Sequence, residues 1–190
     1  WGEYHTDTKQ SVFNYNVVLT DEDFKLVTDT LHYDTQTKWS KAIGPTNIYS
    51  NGDRIYTELG YYNTQSEQAR LYDRTMAFGR DRIMSGDTVY YDKTTGMMEA
   101  FNNISCEDTK NKNILTGDYC IYFEQTGEAM ATKRALARDF SQGPDTLYVH
   151  ADTIRMFTYN IDTGSVYRKL HGYFPVRAYR TDVQAVSDSL

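Results

Sequence analysis

The sequence has few of the features that mark several common protein classes. It contains two cysteines, Cys106 and Cys120, and three prolines. The cysteines match no metal-ligand spacing, so two interpretations stay open, one disulfide in an exported protein or two buried thiols. No run of about 18 apolar residues occurs, and we therefore expect no transmembrane helix. The chain has no initiator methionine and no apolar leader at Trp1, so we expect a processed piece whose targeting signal is not visible.

Positive charge and catalytic motifs are also scarce. The formal net charge is −6, which argues against nucleic acid as a partner because phosphate-binding surfaces are basic. His5, His32, His150 and His171 lie far apart in the sequence, and we predict no metal site and no cofactor. No nucleophile elbow and no glycine-rich phosphate loop is present. We therefore predict that the protein is not an enzyme.

Aromatic residues are abundant, at 14% of 190 residues, and 17 of them are tyrosines. This composition is typical of an ordered chain and excludes intrinsic disorder. The length is enough for one domain with a real core. We expect a single domain over residues 1–190 that the chain end interrupts in the middle of a repeat.

A short motif recurs along the chain as LVTDTLHYD, IYTELGYYN, MSGDTVYYD, LTGDYCIYF, VHADTIRMF and, at the end, AVSDSL. Its acids follow one another at intervals of 29 to 36 residues. Self-similarity with a period near 30 residues indicates a repeat architecture. The recurring acids are Asp29, Glu58, Asp87, Asp118, Asp152 and Asp188.

Each motif is followed by a polar turn and then by a second alternating segment. Loops of this length and composition connect the strands of β-hairpins. The segment 128–140 contains residues that favour helix, but its place in the repeat predicts a strand and a loop. The predicted turns lie at 34–38, 63–67, 92–96, 124–127 and 160–164.

The apolar face changes parity at each acid. In the first unit, Leu26 and Thr28 lie at odd offsets before Asp29, whereas Leu31 and Tyr33 lie at even offsets after it. A straight strand with this pattern would bury its polar side, so we predict a β-bulge at the acid that bends the strand. We expect the carboxylate to accept hydrogen bonds from nearby backbone N–H groups. All six acids are therefore interpreted as structural corners, since a catalytic acid would not recur in every unit.

Consecutive bent hairpins build a long sheet that curls along its length. Its two halves then face one another, with the apolar residues inside. The sequence thus predicts an all-β, repeat-built, twisted antiparallel β-jellyroll made of hairpin units of about 30 residues and open along one side.

The repeated pattern of apolar, small, acid, apolar and Tyr residues resembles the OstA-like family over Phe24 to Leu190, best in the units of Asp29, Glu58 and Asp87. This family comprises periplasmic lipopolysaccharide-transport proteins, including LptA-like bridge proteins and the N-terminal domain of LptD-like translocons. The resemblance implies a periplasmic protein of a Gram-negative bacterium. It also implies an apolar groove that shields acyl chains, and stacking through edge strands with other β-jellyrolls or with itself.

The groove residues implied by the resemblance are the apolar positions of the motif. Ordinary core packing is the alternative interpretation for each of them. Burial of one acyl methylene contributes about 0.8 kcal/mol, so such a groove needs no specific polar contact. The predicted lipid-groove residues are Leu26, Leu31, Ile55, Met84, Val89, Leu115, Val149 and Ile154.

Two other functions remain open at this point. A carbohydrate-binding β-sandwich of an exported protein would use exposed aromatics, and the adjacent pairs at 61–62 and 90–91 place one tyrosine ring on each face. A flat row of exposed rings would favour that function, and scattered rings would oppose it. A purely structural domain would assemble through its sheet edges. The sequence leaves open which lipid binds, whether the interior is packed, and whether the chain is part of a bridge or of a translocon.

Overall fold

The computed structural model describes residues 1–21, 24–50, 52–141, 143–159 and 167–190. These residues form strands and connecting turns, with no helix among them. The predicted turn at 160–164 lies outside the described residues. The thirteen strands are β1 (Gly2–His5), β2 (Gln10–Asp21), β3 (Phe24–Asp34), β4 (Trp39–Ser50), β5 (Asp53–Asn63), β6 (Gln68–Phe78), β7 (Arg82–Asp92), β8 (Met97–Asp108), β9 (Asn113–Phe123), β10 (Glu128–Asp139), β11 (Leu147–Tyr159), β12 (Tyr167–Arg180) and β13 (Val183–Ser189).

All strands belong to one antiparallel sheet whose spatial order follows the sequence from β1 to β13. The two end strands are the free edges, so the sheet is open. This confirms the predicted all-β, repeat-built antiparallel fold, and β10 is extended as predicted for the segment 128–140. No helix in the described part of the chain is long and apolar enough to cross a membrane.

Polar side chains fix the turns within the hairpins. Asp34 accepts hydrogen bonds at Oδ1 from the backbone N–H groups of Gln36, at 2.8 Å, and Thr37, at 2.9 Å. Asn63 accepts the equivalent pair from residues 65 and 66 in the next hairpin. These side-chain contacts replace the ladder bonds that end at a turn, which explains why Asp and Asn recur there.

The sheet bends where the strand ladder is interrupted, at the same level in each hairpin. Between β8 and β9, for example, Asn102 and Asn103 lie opposite the single residue Asp118. Each of the six acids faces such a pair on the preceding return strand. The pairs are residues 15–16, 44–45, 73–74, 102–103, 133–134 and 174–175.

The extra residue of each bulge is therefore on the return strand, and the prediction that placed it at the acid is wrong. The φ angles of Asn102 and Asn103 are 58° and 51°, and those of Lys133 and Arg134 are 58° and 63°. Two successive residues in this left-handed region turn the strand sharply. At 44–45 and 174–175 only the first residue has a positive φ, because the second is proline, so the return strand bends there through a single such residue. The acid occupies the position opposite, where the ladder is broken.

The corners divide each strand from β2 to β13 into two segments. We call the segments that end in the hairpin turns the turn arm, and those that end in the links between hairpins the link arm. Arg82, the first residue of β7, lies at the same level of the link arm as Asn113 on β9. Along β9, Tyr122 in the turn arm is nine residues beyond Asn113. A flat sheet would separate these levels by about 30 Å. Arg82 Nη1 nevertheless lies 3.1 Å from the Tyr122 hydroxyl, so the arms fold back on each other.

The core lies along the inside of the corners, where large side chains alternate with small ones. In these hairpins the residue two positions after the acid pairs with an inward residue of the return strand. One side chain of each pair is Gly or Ala, which leaves room for the larger side chain of the other. A Cβ on Gly60 would already lie 3.4 Å from Leu71, which shows how closely these pairs fit. The pairs are Leu31–Ala42, Gly60–Leu71, Val89–Ala100, Cys120–Ala131 and Ile154–Gly172.

Candidate functional site

The candidate site is the inner face between the two arms, which we call the groove. All eight predicted groove residues lie on this face. Leu26, Ile55, Met84, Leu115 and Val149 are in the link arm, and Leu31, Val89 and Ile154 are in the turn arm.

Burial within the groove is greatest beside the corner and uneven farther out, where Leu26 and Val149 are also buried. Ile154 and Val89 are 0% and 2% exposed, because they pack against the opposite arm and the return strands. Met84, Ile55 and Leu115 are half-buried and lie farther from the corner. The deep positions are therefore closed by protein packing, whereas the outer positions of β5, β7 and β9 have accessible surface. Contact of any of these residues with a lipid stays a prediction.

Two polar contacts cross from one arm to the other at the mouth of the groove. The Arg82 guanidinium donates to the Tyr122 hydroxyl and lies 5.9 Å from the centre of that ring. Arg168 Nη1 in the turn arm donates to Asp108 Oδ2 in the link arm at 2.6 Å. The partners are 40 and 60 residues apart in sequence, so the repeat pattern gave no signal for them.

The second of these contacts holds a carboxylate that is largely buried. Burial acts to raise the pKa of Asp108, but hydrogen bonds from Asn111 and Arg168 outweigh it and keep the pKa below its usual value. Asn111 donates through its backbone N–H and its side-chain amide, both at 2.8 Å. Asp108 is therefore charged near neutral pH and joins a link between hairpins to the opposite arm.

The corner acids of β7 and β9 contact the return strand that follows each of them. Asp118 accepts two hydrogen bonds from Arg134, both at 2.8 Å, and Asp87 accepts one from Asn103 at 2.7 Å. The Arg134 hydrogen bonds lower the pKa of Asp118, and the backbone N–H of Asn103 adds to this effect. The predicted hydrogen bonds from backbone N–H groups therefore contribute less to holding these acids than side-chain contacts do. The bend of the return strand brings the side chains of Asn103 and Arg134 within reach of the carboxylates. These contacts support the interpretation of the acids as structural corners.

The outer face of the turn arm has a continuous row of aromatic rings. Neighbouring ring centres are 5.3 to 6.1 Å apart, but their planes are inclined by 56° to 89°. Two of the four ring pairs are edge-to-face and two are tilted, an arrangement that stabilises the sheet without presenting one flat face. The row is therefore contiguous without being the flat platform that sugar binding would favour. The rings are Tyr61, Tyr72, Tyr90, Phe101 and Tyr119.

An open depression of about 450 Å³ lies beside this row. The Arg70 guanidinium lies 5.2 Å from the Trp39 ring centre at its border, and Asp73 also lines it. Strand alternation places it on the face opposite the groove.

Metal-binding residues do not assemble in the described part of the chain, where no group of three His, Cys, Asp or Glu side chains could hold a metal ion. His5 and His150 are exposed, while His32 and His171 are half-buried at separate levels of the sheet. Cys106 and Cys120 are unbonded thiols.

Comparison with known proteins supports the resemblance noted in the sequence. A family model described as OstA-like protein matches residues 1–29, which extend from β1 to the first corner acid. The predicted resemblance to this family is thereby confirmed, although the matched residues lie mostly before the segment in which the repeats were noted. No curated protein matches the chain.

Among solved structures, the chain is similar to the crystal structure of LptH from Pseudomonas aeruginosa, the LptA-homologous periplasmic component of a lipopolysaccharide transport device. The TM-score is 0.31 and the sequence identity is 15%. The similarity covers 70% of this chain and 78% of that chain.

Proposed function

We propose that this protein shields the acyl chains of lipopolysaccharide, or of a similar lipid, in its groove during transport across the periplasm of a Gram-negative bacterium. The observation that carries the proposal is the pair of arms folded over an apolar inner face and bridged at the mouth by polar side chains. Such a cleft buries an acyl chain lengthwise and gains about 0.8 kcal/mol per methylene. The proposed role is non-catalytic.

The outer part of the groove is suited to chains of different shape. Met84 and Met98 are half-buried on opposite arms and pack against the same cluster. Methionine side chains are flexible and fill irregular spaces. Entry of an acyl chain would separate the arms at the mouth, where Arg82 and Tyr122 meet, and would leave the packed corner intact.

Binding of a fluorescent long-chain fatty-acyl probe, with purified lipopolysaccharide as competitor, tests this proposal. Replacement of Leu115 by Asp places a charge in the groove and should weaken probe binding at least tenfold. Ile114→Asp is the matched control, because Ile114 is the half-buried neighbour on the outer face. Absence of saturable binding by folded protein, or equal loss in both variants, would contradict the proposal.

The proposal includes stacking through the free edges of the sheet. All described side chains of β1 and β13 are exposed, and Val186 on β13 is 78% exposed. Unpaired edge strands can extend a sheet into a second copy or a partner β-jellyroll. Light scattering over a range of protein concentrations should show reversible growth in mass, and Val186→Pro should reduce it. A monomer at every concentration would contradict this part of the proposal.

A further inference from the structure

The two cysteines lie on opposite walls of the groove. Cys106 pairs with Leu115 in the link arm, and Cys120 pairs with Ala100 in the turn arm. The corner lies between these two positions along the strands, so in an unbent sheet the two side chains would be too far apart to touch. The bend brings both side chains into one apolar cluster, in which Cys120 is 6% exposed and Cys106 is half-buried.

We propose that Cys106 and Cys120 form a disulfide that joins the two arms of the sheet across the groove. Both thiols face inward and pack in the same cluster, so the bond needs no change in sheet register. The inference does not depend on the proposed lipid function, because it concerns only these two side chains and an oxidant.

The surroundings of the thiols assign them different roles in the reaction. Proximity of the Cys120 thiol favours the thiolate of Cys106 and lowers its pKa against the effect of burial, and the Arg82 charge helps. The same contact and burial raise the pKa of Cys120. Cys106 is also the more exposed of the two. It is therefore the nucleophile that reacts first with an external disulfide.

The oxidant is a disulfide, such as oxidised glutathione or the disulfide of a thiol oxidoreductase. The Cys106 thiolate attacks one of its sulfurs, which forms a mixed disulfide and releases one thiol. Cys120 then gives up its proton, and its sulfur attacks Cys106 and releases the second thiol. The two cysteines are oxidised, the oxidant is reduced to two thiols, and the two cysteine protons are taken up by those thiols.

Peptide mapping of folded protein treated with oxidised glutathione tests the bond. Lys110 and Lys112 lie between the two cysteines, so tryptic cleavage leaves two fragments that remain joined until a reductant is added. We expect intramolecular joining in most molecules. Two free thiols under conditions that oxidise the unfolded chain would overturn the proposal. So would a stable glutathione adduct at Cys106, or joining between two chains.

Thermal unfolding provides a second readout. The bond closes a loop of about 15 residues and should raise the unfolding temperature by about 5–10 °C over the reduced protein. Cys106→Ser and Cys120→Ser should each abolish this difference. A lower unfolding temperature after oxidation would show that the folded arms do not accommodate the bond, and would overturn the proposal. If a serine variant fails to fold, the peptide map of the unsubstituted chain still decides.

Discussion

The hairpins β3–β4 and β5–β6 make the same bend as β7–β8 and β9–β10, but different contacts hold it. In the first two, a buried threonine before the acid bonds inside the corner, and Thr57 Oγ1 donates to the Tyr72 carbonyl at 2.8 Å. In the next two, that position is Gly86 or Gly117, and the acid bonds outside the corner to Asn103 or Arg134. Positive φ angles on the return strand accompany the bend in all four hairpins, at one residue in β4 and at two in β6, β8 and β10, and the stabilising contact varies.

The two regions also differ at the mouth of the groove. The contacts that join the arms, Arg82 to Tyr122 and Asp108 to Arg168, begin in the β7–β8 hairpin and reach later strands. Among the described residues of β3–β6, the hydrogen bonds that cross between the arms lie at the corner, such as that of Thr57, and none joins the arms at the mouth. The later hairpins are thus fixed at both the corner and the mouth, and the earlier ones at the corner.

The largest effect should come from breaking the contact between Asp108 and Arg168. Arg168→Met leaves a largely buried carboxylate without its cation and should reduce the free energy of unfolding by about 2–3 kcal/mol. Lys93→Met is the control, because Lys93 and Glu67 are 2.7 Å apart but exposed. That change should have little effect on stability, because solvent screens an exposed ion pair. Equal costs in urea denaturation would show that the mouth contact has no special role.

Removal of the inner hydroxyl should come next in size. Thr57→Val keeps the shape but leaves the Tyr72 carbonyl without its hydroxyl donor, which should cost about 1–2 kcal/mol in the same assay. Thr57→Ser retains the hydroxyl and should recover part of this loss. If serine is no better than valine, the hydroxyl does not hold the bend.

The two corner glycines should respond differently to alanine. A Cβ on Gly117 would lie 3.1 Å from the Thr132 carbonyl oxygen, whereas on Gly86 its nearest neighbour would be 3.7 Å away. Gly117→Ala should therefore destabilise by about 1 kcal/mol. Gly86→Ala should be neutral or slightly stabilising, because alanine restricts the unfolded chain. Calorimetry of the two variants compares them directly, and the reverse order would refute this view of the corners.

The smallest effect should come from the outer contact of Asp118, which is open to solvent. The pKa of Asp118 is lowered in the folded state, so its contribution to stability is present above the unfolded pKa and is lost as the pH falls through the folded pKa. Asp118→Asn should slightly lower the unfolding temperature near neutral pH, and the difference should shrink as the pH falls below the unfolded pKa of about 3.9 and vanish below the folded pKa. High salt should also reduce it. A difference unaffected by pH and salt would contradict this electrostatic origin.

The acids made the fold predictable, because an acid next to a small residue recurs with a period that the hairpins impose. The return-strand pairs escaped prediction because no residue type is common to all six, which range from Gly44 and Pro45 to Asn102 and Asn103. Their spacing of 29 to 41 residues was nevertheless a usable signal. The alternation of apolar residues before and after each acid shows which side chains share a face, so the sequence was enough to assign residues to the inner face. Contacts across the mouth depend on how far the arms close, which no local pattern encodes.

The strict sequential order of strands has a consequence for the size of the molecule. Strands are spaced by about 4.8 Å, so each hairpin adds about 10 Å to the axis and thirteen strands extend about 60 Å. Each bend is completed by residues of adjacent strands, and a further hairpin can be appended without altering the cross-section of those before it. The number of hairpins thus determines how long a path the protein can cover, independently of how wide that path is.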